Sequence, residues 1–395
     1  IDTRDWSSDV CSSDLLENMR NNIGLLTFHK SINYGSVLQA WALTKTISKK
    51  YSVEVIDYKP NKYDYLYGLY RPWNTMNNIK YNLKRIPLRK EIKNQAYLFE
   101  RFREKQLSLS PIEYNSKNAD KIGNFYDVIV VGSDQVWNLR AKDCDLVFFL
   151  PFSFAGRKVS YACSINDTDY TEERCSDELR KQLCSFDFIS IREKSGSEKL
   201  QNYIFNKKKV YTLLDPTLLC DKEDYKSLVT DRIVKENYVF LYNVWTSEAG
   251  IQAAKYISEI LHMPVYTIMT ASNIKEIKML EKNGILVEKT KTSPSDFLNF
   301  FKYASYVVTE SFHGTAFSLI FERPFVCVSK RTNDERLVNI LELVGLKNRY
   351  IKLSEISGFD LTKPIDYVRV NEKKRAKARE CIEVLYQAIE GERKS

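Results

Sequence analysis

Short apolar runs of strand length alternate along this chain with stretches in which apolar positions recur every three or four residues. IGLLTF (23–28) is the first such run, and the stretch behind it places Val37, Ala40, Trp41 and Thr44 at helical spacing. Further runs occupy 53–58, 126–132, 158–163, 186–191 and 210–215, separated by helical stretches. A second series begins near Tyr238: YVFLYNV, a helix over 247–261, PVYTI, ILVEK, a helix from about Ser295, YVVTE, a helix from about His313, then PFVCVS. Leu337, Ile340, Leu341 and Val344 form a later helical stripe, and Ala378, Cys381, Ile382, Leu385 and Ile389 another. Such alternation predicts parallel, doubly wound sheets with helices on both faces. The polar stretch 221–236 separates the two series and reads as a hinge. We therefore expect an α/β protein of two Rossmann-like domains facing a central cleft, over residues 16–221 and 222–372, followed by a helical segment 373–395.

Composition changes this picture at two places. The 395 residues suffice for two or three domains at roughly 150 residues each. With 44% hydrophobic and 28% charged residues the chain is neither disordered nor collagen-like. The first fifteen residues match nothing after them. DWSSDVCSSDL reads as one translated frame of a common short-read sequencing adapter, so residues 1–15 are expected to be an assembly artefact, disordered and outside the fold. The second place is 59–105, where twelve Lys and Arg face four Asp and Glu, with nine aromatics interleaved, in a chain of net charge +9. One reading is a surface for an anionic polymer, a lipid diphosphate or membrane headgroups. The other is a helical insertion with a solvated basic face and an aromatic inner side. No nucleic-acid recognition motif accompanies the charge, and no nucleic acid is expected as a partner. No apolar run reaches 18 residues, no secretory signal is visible, and the eight Cys are scattered. These features predict reduced thiols in a cytoplasmic protein, with any membrane contact peripheral and on the inner face.

Four polar clusters follow strand runs: FHKSINYGS (28–36), GSDQVWN (132–138), SIREKSG (190–196) and TESFHG (309–314). Parallel sheets bind ligands at the carboxyl ends of their strands, where helix N-termini offer free N–H groups to anions. Singly, each cluster has an ordinary structural role available: Gly35 and Gly132 as turn residues, Asp134 as a cap, Arg192 as an ion-pair partner, His29 and His313 as core histidines. Together they predict one site. His313, Arg192 and Asp134 are its candidate catalytic residues. His29, Asn33, Gly35, Ser36, Ser133, Ser311 and Gly314 are candidate binding residues. Lys330, Arg331 and Arg336, after PFVCVS, join them on charge and position alone. Asp215 and Pro216 in LLDPTLL read as a turn out of the strand. The three His lie far apart and the Cys lack zinc spacing, so neither a metal nor a cofactor is expected. No P-loop and no GxSxG elbow is present.

FHKSINYGSVLQAWAL, YDVIVVGSDQVWN, VSYACS, ISIREKSG, LLDPTLL and TESFHGTAFSLIFERPF, in that order, resemble the polysaccharide pyruvyl transferase family from about Ile23 to Tyr350. The resemblance implies a GT-B-like fold, in which the C-terminal helix crosses back to the first domain. It implies transfer of the enolpyruvyl unit of phosphoenolpyruvate to a sugar of a bacterial surface polysaccharide, the acceptor being a lipid-linked or polymeric glycan. It also maps the family's Arg and His onto Arg192 and His313. Ser311 and Ser36 stand where some members carry Arg and Asp. Two other classes remain open: a glycosyltransferase using a nucleotide-sugar donor on the same scaffold, and a non-enzymatic glycan or polyanion binder.

Overall fold

A computed structural model describes residues 22–391, except 167, 172, 174, 245–246, 271–272 and 329–333. The adapter-like segment 1–15 therefore lies outside the described residues, as do Lys330 and Arg331. Six parallel strands build the first half. Asn22–Leu26 (β1), Ser52–Val55 (β2), Val128–Val131 (β3) and Arg157–Ser160 (β4) run in the order β2-β1-β3-β4. Bridges from Val159 to Phe188 and from Cys163 to Ile191 extend this sheet to the pair Ile189–Ile191 (β5) and Val210–Thr212 (β6). The second half holds Val239–Tyr242 (β7), Val265–Ile268 (β8), Ile285–Glu288 (β9), Tyr306–Thr309 (β10), Phe325–Val328 (β11) and Tyr350–Ile351 (β12). Their order is β9-β8-β7-β10-β11-β12, again all parallel. The two expected Rossmann-like halves are present. The order reverses between β1 and β3 and between β7 and β10, the positions at which open α/β sheets form binding crevices.

Side-chain alternation along the strands explains how the halves associate. Ile23, Leu25, Val128 and Val130 from the first sheet share one buried cluster with Phe240, Tyr242, Val307 and Phe325 from the second. The intervening residues Leu26, Ile129 and Val131 face a separate cluster confined to the first half. Val239, Leu241, Val308 and Val326 face a third, confined to the second half. One face of each sheet thus belongs to a single core spanning both halves. The helix Tyr34–Ser48 runs through that core and is buried on nearly every side, as its continuous VLQAWAL run requires. Its Tyr34 ring stacks on Phe297 of the second half at 4.6 Å, and its hydroxyl donates to Thr292 O at 3.1 Å.

The 221–236 stretch is not slack. Tyr225 is fully buried between Trp41 of the first half and Phe317 of the second, at 5.0 and 5.5 Å. The C-terminal helix Tyr367–Glu390 starts on the second half and ends on the first, where Tyr386 donates to Thr46 O (2.9 Å) and Ala388 O accepts from Arg157 (2.5 Å). Insertion 59–105 also touches both halves. Tyr67 donates to Asp143 (3.0 Å), while Leu88 and Ile92 pack with Met269 and Ile277.

A shared core makes unfolding of the halves one event. Calorimetry should show a single transition, and Tyr225→Ala should lower stability by about 3–5 kcal/mol, the scale of emptying a buried aromatic site. Two separated transitions, or a loss below about 1 kcal/mol, would contradict this packing.

Candidate functional site

Strand runs in the sequence overshoot the observed strands, mostly at their C-terminal ends, and the residues left over carry the site. After β1 the chain turns through Thr27 to Asn33, whose side chain caps the next helix by accepting from Gly35 N (2.9 Å) and Ser36 N (3.3 Å). The cap leaves Ser36 free to donate its hydroxyl to Asp134 Oδ2. Asp134 follows β3 in a left-handed conformation, φ 65°, costly for a residue with a side chain. It is fixed there by Ser164 N donating to its carbonyl (2.7 Å) and by its own Oδ1 accepting from Gln135 N (2.8 Å). Ser133 is spent on the loop, with its hydroxyl on Ala162 O (2.7 Å) and its N–H on Gln39 (3.1 Å).

Beyond β5, Arg192 and Glu193 are both buried. Arg192 Nη1 donates to Asp215 Oδ2 at 2.7 Å, and its guanidinium lies 4.7 Å from the ring centre of Phe312. Asp215 uses its two oxygens differently. Oδ1 accepts from Thr217 N (3.0 Å) and Thr217 Oγ1 (2.7 Å), capping the turn Pro216–Leu219, and Oδ2 serves Arg192. Its reading as a turn residue was therefore incomplete. His313 comes from the helix Phe312–Ile320 of the second half and holds Nε2 3.6 Å from Asp215 Oδ2, too long for a hydrogen bond. A Cβ on Gly35 would fall 2.1 Å from His313 Nδ1, so only glycine lets the first half's helix meet this ring. Gly314 plays the same part toward Thr309 Oγ1, at 2.1 Å. Ser311 precedes that helix and donates its N–H to Thr309 Oγ1 at 3.0 Å.

Charge and burial compete in this cluster. Burial pushes the Asp215 carboxyl up, but His313 and the Arg192 guanidinium outweigh it and hold the group well below the usual carboxylate range. Burial opposes the charge on Arg192, yet Asp215 and Glu193 raise its pKa still further. For Glu193 burial wins and the carboxyl is raised, despite Arg192 and the hydroxyl of Ser164. Arg192 Nε, Glu193 Oε2 and His313 Nε2 are buried atoms without a hydrogen-bond partner. These three atoms belong to one buried cluster and are polar groups that the protein itself leaves unsatisfied.

The structure thus gathers Gly35, Ser36, Asp134, Arg192 and His313 where the halves meet. Arg336 stands close by, paired to Asp334 through 3.1 and 3.0 Å bonds, its charge acting on Glu193. The neighbouring Glu335 accepts from Ser195 N at 2.8 Å across the halves. His29 is bound within the first half. Its fully buried ring faces Thr27 O (3.1 Å) and Asp57 (2.8 Å), which also pairs with Lys30 (2.9 Å). The sequence does not single out Asp215, Glu193 and Phe312 as site residues, although all three sit inside the quoted motifs. Among the described residues no group of three or more His, Cys, Asp or Glu is placed to hold a metal.

A family model described as polysaccharide pyruvyl transferase matches residues 33–330. No curated protein matches the chain. Among solved structures, a UDP-GlcNAc 2-epimerase from Methanocaldococcus jannaschii is similar with 13% identity and a TM-score of 0.53, covering 92% of this chain and 99% of that one. Another UDP-N-acetylglucosamine 2-epimerase gives 12% identity and a TM-score of 0.54 over 95% and 97%. These relatives share the GT-B arrangement, and the chain has that fold.

The carboxylate at the centre makes a pH prediction. Its folded pKa lies below the unfolded one, so its contribution is complete above about pH 4 and fades as pH falls below that. Asp215→Asn leaves Arg192 buried without its partner and should cost about 3–5 kcal/mol at pH 7. In urea unfolding, the gap between wild type and variant should stay constant from pH 7 to 5 and narrow only below about pH 4. A gap already closing between pH 7 and 5 would contradict the assignment.

Proposed function

Because the chain belongs to the polysaccharide pyruvyl transferase family, we propose that it transfers the enolpyruvyl unit of phosphoenolpyruvate to a glycan sugar, forming a pyruvate ketal and releasing phosphate. The observation carrying this reading is the trio of unpartnered buried atoms on Arg192, Glu193 and His313, a cation, a carboxyl and an imidazole set where two anionic groups of a small donor would lie. Phosphoenolpyruvate offers a carboxylate and a phosphate. Arg192 is held rigid by Asp215 and Phe312, so its free edge is a fixed donor for one of them.

In the reaction the donor methylene gains a proton and becomes methyl, leaving a cationic centre at C2. One sugar hydroxyl bonds to C2, the C2–O bond to phosphate breaks, and a second hydroxyl closes the ketal. Of the two hydroxyl protons, one ends on the methyl group in the overall balance and one on phosphate. Glu193, whose raised pKa favours its protonated form, and His313 are the groups able to deliver the first proton. Asp134, already bound to the Ser36 hydroxyl, is the carboxylate placed to take a proton from the sugar. The acceptor is a lipid-linked or polymeric glycan, and the setting is the cytoplasmic side of the cell envelope.

Incubation with phosphoenolpyruvate and lipid-linked glycan of the source organism should release inorganic phosphate and add a pyruvyl-sized mass to the glycan. Release of a nucleoside diphosphate from a sugar nucleotide, with none from phosphoenolpyruvate, would overturn the reading. Arg192→Lys keeps the charge but loses the fork, and should reduce kcat/KM by about 1.5–3 kcal/mol of transition-state binding. Loss of the true proton donor should lower kcat by roughly 10²–10⁴ with little change in donor affinity, so His313→Gln and Glu193→Gln identify it by which one does so. Full activity in all three variants would remove the site from the reaction.

A further inference from the structure

From Tyr65 to Lys90 the chain contains no acidic residue and six basic ones. Two of the six are used internally. The Arg71 guanidinium lies 3.7 Å from the ring centre of Tyr81, and Arg85 is 3% exposed, donating to Leu69 O at 3.0 Å and to the Tyr81 hydroxyl at 2.7 Å. Lys80, Lys84, Arg89 and Lys90 are exposed.

The helix Met76–Arg85 in this segment is inside out. Its buried residues are Asn78, Asn82 and Arg85. Asn82 exchanges hydrogen bonds with the backbone of Arg71, at 2.9 Å in each direction, and Asn78 accepts from the Tyr65 hydroxyl at 3.3 Å. Its polar face is therefore bound to the protein. Two of its apolar side chains point the other way: Met76 is 64% exposed and Leu83 54%, with Trp73 just before the helix at 53%. Met76, Lys80 and Leu83 recur at helical spacing on that outer face. A water-facing surface gains nothing from this pattern, whereas an interfacial helix needs it, with apolar anchors ringed by cations and no carboxylate to repel a negative surface.

We propose that this face of the insertion docks the protein on an anionic lipid bilayer. Trp73, Met76 and Leu83 enter the boundary between headgroups and acyl chains, and Lys80, Lys84 and Lys90 pair with headgroup phosphates. The occupant is a bilayer rather than a soluble polyanion, since a sugar or phosphate polymer would leave the three anchors in water. Tyr63 and Tyr67 of the same insertion line a crevice with Thr27, Lys30 and Asp143 beside the carboxyl end of β1. The inference goes beyond the proposed reaction and does not depend on it.

Co-sedimentation of the full chain with phosphatidylcholine vesicles, with and without phosphatidylglycerol, tests it without any turnover. Binding should require phosphatidylglycerol. Met76→Asn with Leu83→Asn should weaken it by roughly tenfold or more, and Lys80→Glu with Lys84→Glu by a similar factor. All four positions are exposed, and unchanged thermal unfolding of the variants would exclude a folding defect. Absence of binding to the anionic vesicles would overturn the proposal. So would binding that survives the Met76/Leu83 change, the behaviour of a polyanion site that needs only the lysines.

Discussion

One buried carboxylate organises the junction between the halves. Asp215 is withdrawn from water among groups that make its charge tolerable: Arg192 on one side, the His313 imidazole on another, and Thr217 on its second oxygen. An isolated ion there would be too costly to keep. The site and the fold therefore depend on each other, because removing any of these partners unbalances a buried charge at the place where the two sheets meet. Gly35 enforces the same junction sterically, since its missing side chain is the space that His313 fills.

The architecture was legible in the amino-acid order because parallel strands covered on both faces read as short continuous apolar runs, and the helices between them keep a 3.6-residue period. The short β12 was missed, as two residues carry no period. The strand ends were legible too, and Arg192, Asp134, Ser36 and His313 do come together. Pairing was not legible. Nothing local distinguishes His29, whose ring is committed to Thr27 and Asp57, from His313, whose Nε2 is left without a partner. Asp215 looked like a turn residue because it is one. Its second role arises only when β6 brings it alongside Arg192, and a sequence read one segment at a time does not register that meeting.

The basic aromatic insertion also divides along physical lines. Counting charges treats Arg85 and Lys84 alike, yet one is buried against backbone carbonyls and the other is exposed. The polar residues that a helical-period reading would turn outward are the ones facing in. The segment is a folded insertion joining the two halves, and its outer face is apolar as well as basic.

The most direct measurement of the central claim is the position of phosphoenolpyruvate in a crystal structure of the complex. A carboxylate or phosphate oxygen should lie within about 3 Å of Arg192 Nε, and His313 Nε2 should have gained a partner in the ligand. Density for the ligand elsewhere, with those two atoms still unpartnered, would contradict the account.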